Sequence, residues 1–300
     1  MNVTPIAFES LGVRSMATLV EASGHKVFID PSAALGPLRY GLPPAEEELS
    51  ALEIAKKRIH DIAVESDILI ITHYHYDHHD PDETFYDGKA VLAKDVGANI
   101  NHSQRGRGGY FKKQVEGVCD LRFADGRRFE YGNLEITFSQ PFPHGPPGIP
   151  LGFVLMCLLD DGKDKILFSS DVQGPVSEEA RDWIIGMKPD LLIMDGPPTY
   201  FLGYKFSTQN MEKAKANIRG IIEKTGCDVI LDHHLLRDIK HAERFRGVYE
   251  TGKAKSAAEY LGMGNNLLEA RRKELWAEKK PDYSMMPQKK GLGMTNHSGI

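Results

Sequence analysis

DILIITHYHYDHHD, residues 67–80, contains an apolar run, Ile68 to Ile71, that passes directly into His73, His75, Asp77, His78, His79 and Asp80. Four apolar residues bounded by polar ones have the length and composition of a buried strand. Residues at i and i+2 of an extended segment project to the same side, so His73 and His75 can reach one cation. A turn at Asp77 and His78 would redirect two more donors to a neighbouring position. A lone His at a strand end is usually an ordinary structural residue. Four His and two Asp within eight residues are different, because so many hydratable groups need a cation to compensate them. One zinc takes three or four ligands and a metal pair about 3.5–4 Å apart takes more, so further donors must come from elsewhere in the chain.

Three later segments, each after an apolar run, supply candidates. PFPHGPPGIP (141–150) places His144 among prolines that stiffen its loop. KILFSSDVQGP (165–175) places Asp171 beyond a strand, where its two oxygens could bridge two cations, and DVILDHHLLRD (228–238) places His233 and His234 beyond another. His79, Asp80, Asp195 and Asp232 are candidates to orient the ligating rings, and equally for caps and turns; His234 is also an alternative ligand to His233.

The whole chain is compatible with such a site. Its 300 residues are 41% hydrophobic and 26% charged, the balance of a soluble globular protein. The surplus lies in metal-binding side chains, with 12 His against 3 Cys. A net charge of -5 lacks the broad positive field of a general nucleic-acid binder. Cys119, Cys157 and Cys227 are odd in number and widely spaced, which argues against a disulfide framework, a zinc ribbon or an iron–sulfur site. No signal-peptide pattern is visible, and the longest apolar run, Leu151 to Leu159, is too short to span a bilayer. We therefore expect a cytoplasmic protein with no membrane partner.

Short apolar runs predict strands at 3–8, 17–21, 26–29, 68–72, 90–93, 134–139, 152–159, 165–169, 191–194 and 229–231. Helices are expected at 45–65, 178–187, 209–225, 237–252 and 256–279. Strands followed by helices, twice over, predict an α/β fold in which a sheet sandwich is covered outside by helices. One domain over residues 1–280 is expected, with an irregular C-terminal arm at 281–300.

The pattern H-x-H-x-D-H after an apolar strand, followed in order by His, Asp and His, resembles the metallo-β-lactamase superfamily. Within it, SLGVRSMA, FIDPS, THYHYDHHD, FSSDVQGP, MDGPPTY and LDHHLLRD are similar to a largely archaeal family of predicted metal-dependent hydrolases. The likeness spans roughly residues 3–250. It implies a four-layer αββα sandwich and two divalent metal ions, zinc first, with manganese or iron also compatible. It also implies His73, His75 and His144 on one metal, Asp77, His78 and His233 on the other, and Asp171 bridging. The activity implied is hydrolysis by a hydroxide held at the dinuclear centre, with Asp77 its catalytic partner.

Substrate signals are thinner. GPLRYGLPP (36–44) could form a cleft wall with Arg39, or be an ordinary connection. QRGRGGYFKK (104–113) gathers Arg105, Arg107 and two Lys around a Gly-rich turn that could grip phosphates and stack a base, or be a solvated loop. MDGPPTYFLGYKFS (194–207) could aim Tyr200 into the cleft. The first expectation is therefore a phosphoester or nucleic-acid-like substrate, resting on residues 104–113 alone. The second is a lactone, thioester or other carboxylic ester. A diiron redox centre and a non-catalytic metal scaffold are less favoured.

Overall fold

The computed structural model describes residues 1–278. The arm expected at 281–300 lies outside the described residues. The first sheet has the order β1 (Asn2–Phe8), β2 (Met16–Ala22), β3 (His25–Ile29), β4 (Ile68–Ile71), β5 (Ala90–Ala93), β6 (Asp120–Phe123). It is antiparallel from β1 to β3 and parallel from β3 to β6. The second sheet uses β7 (Arg128–Tyr131), β8 (Leu134–Phe138), β11 (Cys157–Asp160), β12 (Lys165–Phe168), β13 (Leu191–Met194), β14 (Asp228–Leu231) and β15 (Ala254–Lys255) in that spatial order. Its strands β12 to β15 are parallel. A short pair, β9 (Phe142–Pro143) with β10 (Phe153–Val154), stands apart.

The central strands read as unbroken apolar runs because both their faces are covered. Ile68 and Ile70 of β4 meet Phe168 and Ile193 of the second sheet in the core between the sheets. Leu69 and Ile71 face outward, onto Ile59 and Ala63 of α1 (Glu46–Glu65) and Phe111 of α2 (His102–Val115). On the far side, Leu167 and Leu192 pack against Ile184 of α3 (Glu178–Met187) and Ile218 of α4 (Thr208–Thr225). The layers are thus helix, sheet, sheet, helix, as expected.

Four expectations need correction. The run at 152–159 divides into β10 and β11. The helix expected at 237–252 is two single turns, α5 (His241–Arg244) and α6 (Arg246–Tyr249), broken at Phe245, whose ψ of 20° is not helical. That expected at 256–279 is broken between α7 (Ala257–Tyr260) and α8 (Arg272–Glu278), where Gly262 takes a φ of 73°. Finally, the Gly-rich stretch 104–113 is not a turn: it lies inside α2, with its Gln104, Gly108, Phe111 and Val115 buried. Among the described residues no helix is long and apolar enough to cross a membrane.

Candidate metal centre

The candidate residues collect outside the carboxyl ends of the parallel strands, where open α/β sheets place their ligands. From the first sheet, β3 leads into Asp30 and β4 into His73, His75, Asp77 and His78. From the second, β12 leads into Asp171, β13 into Asp195 and β14 into His233 and His234. Asp30, Ser170 and His233 have φ of 49°, 53° and 42°, a left-handed conformation that costs a non-glycine residue free energy and clusters at functional sites. The last of these has a visible use. Successive side chains alternate along an extended strand, and the turn at His233 instead brings its ring and that of His234 within 4.5 Å of each other.

Asp171 lies at the centre. Its Oδ2 is 3.1 Å from Nε2 of His144, 3.3 Å from His78, 3.6 Å from His73 and 3.7 Å from both His233 and His234. His73 Nε2 is 3.1 Å from His75 Nδ1. Donor atoms of His73, His75, His144 and Asp171 all lie within 4.8 Å of one another, as do those of Asp77, His78 and His233, and those of Asp171, His233 and His234. His78 Nε2 and Asp171 Oδ1 are buried without a hydrogen-bond partner. Orphaned buried lone pairs are costly, and a cation would satisfy these. The donor set therefore fits divalent metal, with Asp171 among the residues that would hold it, and both His233 and His234 reach that carboxylate. Burial, reinforced by His144, pulls the His75 imidazole down to about 3, leaving it neutral as a ligand must be. Burial lowers His233 as well, but Glu9 and Asp171 together outweigh it and raise the ring to about 9, a proton that cation binding would displace.

Carboxylates stand behind the rings. Asp195 Oδ2 lies 2.8 Å from His234 Nδ1. Asp30 and Glu9 do the same for His78 and His233, each at 2.7 Å, and neither was singled out from sequence. Asp30 also accepts hydrogen bonds from the Thr72 amide and hydroxyl, so it orients His78 rather than offering a free donor. FIDPS and the phenylalanine-led FES at 8–10 carry these residues, but one acidic residue beside a strand has no distinctive spacing. Arg237 was also missed. Its Nε donates to Glu9, and its Nη2 lies 3.0 Å from His233 Nε2 and 3.5 Å from Asp77 Oδ2.

Of the other candidates, His79 points its Nδ1 at the His75 carbonyl, 3.0 Å away, and so braces the ligand loop. Asp232 accepts from the amides of Ser10, His233 and Ala257, fixing the turn rather than a ring. Asp80 does not join the centre: it pairs with Lys56 at 3.0 Å on α1. Arg39 stacks on the Tyr200 ring at 4.5 Å and donates to the Arg237 carbonyl, behind the cleft wall rather than on it. Arg105 is exposed on α2, away from the cleft. Arg107 and Tyr200 do line a cavity of about 840 Å³, which opens over His75, Asp77, His144, Asp171 and His234.

Two sheets flanked by helices, with a His and Asp cluster at their strand ends, define the metallo-β-lactamase fold. The chain belongs to the UPF0282 family, as the resemblance in its motifs implied. It is 46% identical over 296 residues to the UPF0282 protein of Methanopyrus kandleri, covering 93% of this chain and 100% of that one. The UPF0282 protein of Thermococcus onnurineus is 43% identical over 303 residues, covering 96% and 99%. No family model matches the chain. Among solved structures, the isothiocyanate hydrolase from Delia radicum gut bacteria superposes with a TM-score of 0.57 at 17% identity, covering 85% of this chain and 95% of that one. A possible metal-dependent hydrolase from Veillonella parvula gives 0.53 at 12%, covering 82% and 94%. CmlA, a diiron beta-hydroxylase from Streptomyces venezuelae, gives 0.52 at 15%, covering 84% of this chain and 51% of its own. At such identities the likeness is one of fold.

Proposed function

We propose that this protein is a metal-dependent hydrolase with two divalent ions, zinc by preference, acting on an ester bond of a small molecule in the cytoplasm. One observation carries the reading: a single carboxylate, Asp171, lies within 3.1–3.7 Å of five imidazole nitrogens on the floor of an open cavity. Bound cations would supply water with a pKa brought from 15.7 toward about 7 and neutralise charge building on the attacked group.

The chain's own groups do the rest. Burial would raise the Asp77 pKa, but His78, His233 and Arg237 hold it well below the usual carboxylate range, so it is charged at neutral pH. It lines the cavity, where it can accept a hydrogen bond from the attacking water and fix its direction. The Tyr200 hydroxyl and the Arg237 guanidinium lie 3.5 Å apart on the cavity wall, both able to donate to substrate oxygen. The phosphoester reading loses Arg105 but keeps Arg107, while Ile149, Leu151 and Phe206 on the lining favour the carboxylic-ester alternative.

Elemental analysis of protein purified without added metal tests the centre. The expected result is two divalent ions per chain, falling in Asp171→Ala and His75→Ala while both variants stay folded. Unchanged stoichiometry in both would refute the site. A panel of chromogenic phosphodiester, lactone, thioester and carboxylic ester substrates then separates the two bond classes.

A further inference from the structure

Four cationic side chains line the cavity: Arg14, Arg107, Lys205 and Arg237. Two are already neutralised. Arg14 grips Glu269 through two hydrogen bonds of 2.6 Å, and Arg237 donates to Glu9. The other two have no carboxylate partner among the described residues, and aromatic rings hold them instead. The Arg107 guanidinium lies 4.9 Å from the Tyr76 ring centroid and donates to the Tyr74 carbonyl at 3.3 Å. Tyr76 in turn stacks on His79 at 5.6 Å, with 13° between the planes, so Arg107 is tied to the ligand loop. Lys205 lies 5.5 Å from both Phe201 and Tyr204. A ring face fixes a cation without cancelling its charge.

The chain as a whole carries a net charge of -5, so uncompensated positive charge on the lining of this cleft is not a by-product of a basic composition. The acidic side chains on the lining, Asp77 and Asp171, belong to the imidazole cluster. Low-dielectric walls focus the field of the free cations and raise the local concentration of anions. A volume of about 840 Å³ is that of a site for one small molecule.

We propose that the cavity selects a small organic anion, and that Arg107 and Lys205 are the residues that read its charge while Ile149 and Leu151 receive its apolar body. The inference rests on the hydrolase reading only in treating the occupant as a substrate.

Calorimetric titration of the metal-loaded protein with 4-phenylbutyrate and with its neutral amide tests the selection directly. The carboxylate is expected to bind at least tenfold more tightly to the wild type. That preference should fall to within about twofold in Arg107→Gln/Lys205→Gln, and each single variant should lose part of it, with metal content retained in all three. A preference that persists in the double variant would belong to the metal centre and overturn the assignment. A wild type that shows no preference, or binds neither probe, would overturn it too. Turnover of the chromogenic phosphodiester, lactone, thioester and carboxylic ester panel by the same wild-type preparation reports separately on the hydrolase reading: retained anion selection without turnover of any of them removes the reaction and leaves the selecting residues standing.

Discussion

Gly108 sits on the buried face of α2, and a Cβ there would lie 2.8 Å from two ring carbons of Tyr74 and from Val96. Tyr74 belongs to the ligand loop, between His73 and His75, so this glycine sets how closely the helix can approach the centre. Gly106, two residues earlier in the same helix, has open space where its Cβ would be. Gly106→Ala should therefore stabilise the protein by about 0.5–1 kcal/mol through helix propensity and a less free unfolded chain. Gly108→Ala should destabilise it by about 1–3 kcal/mol through overpacking. Urea unfolding of the two variants decides the matter, and equal shifts would show that the close approach is not structurally enforced. The sequence was most legible at this scale where donors are contiguous. His73 to His78 announce themselves by number and spacing. Glu9 and Asp30 do not, because each reaches the cluster only after distant segments pair: Glu9 and His233 are 224 positions apart. Arg237 lies four positions from His233, but a guanidinium is no metal ligand and so carried no signal.

At the scale of elements, propensity and burial compete. Three glycines made residues 104–113 read as a turn, yet Asn101 caps the helix by accepting from the Gln104 amide at 2.7 Å, and its buried stripe packs on the first sheet. Tertiary packing outweighs a glycine cost of about 1 kcal/mol each. The opposite happens at 256–279, where a helical pattern is interrupted and the following segment is fastened by charge. Arg272 and Glu48, both fully buried, join α8 to α1 by two hydrogen bonds of 2.7 Å. Arg272→Met leaves Glu48 charged and buried, at an expected cost of about 3–5 kcal/mol. A loss below 1 kcal/mol in a denaturant midpoint series would mean that water reaches Glu48 and relieves it. Nearby, burial raises the Glu269 pKa, but the Arg14 hydrogen bond and charge, with Arg237 and Arg272, bring it to about 2 from an ordinary 4.5. A carboxylate depressed on folding stabilises the protein above its unfolded pKa. That contribution, on the order of 3 kcal/mol, is lost as pH falls from 4.5 through 2. Glu269→Gln should flatten the wild type's acid-induced loss of stability over this interval, and an unchanged slope would contradict the pairing.

Across the whole molecule, the centre is where the two sheets are joined by chemistry as well as by packing. The apolar core between them runs from Ile68 and Ile70 to Phe168 and Ile193, and the polar cluster closes it at one end with donors from both sides. His73, His75, Asp77 and His78 come from the first sheet, Asp171, His233 and His234 from the second, so a cation held by donors of both sets would tie the halves together. Ligands that bind only the folded state stabilise it by about 4 kcal/mol when free metal is a thousand times its dissociation constant. Removing metal with a chelator should then lower the melting temperature by on the order of 10 °C. Asp171→Ala, which deletes the shared carboxylate, should shrink that difference severalfold, because little metal remains to be removed. Lys56→Ala, whose partner Asp80 lies outside the cluster, should leave it intact. Differential scanning calorimetry with and without chelator measures all three proteins. A chelator shift of the same size in Asp171→Ala would place the stabilising metal elsewhere and separate the fold's stability from this centre.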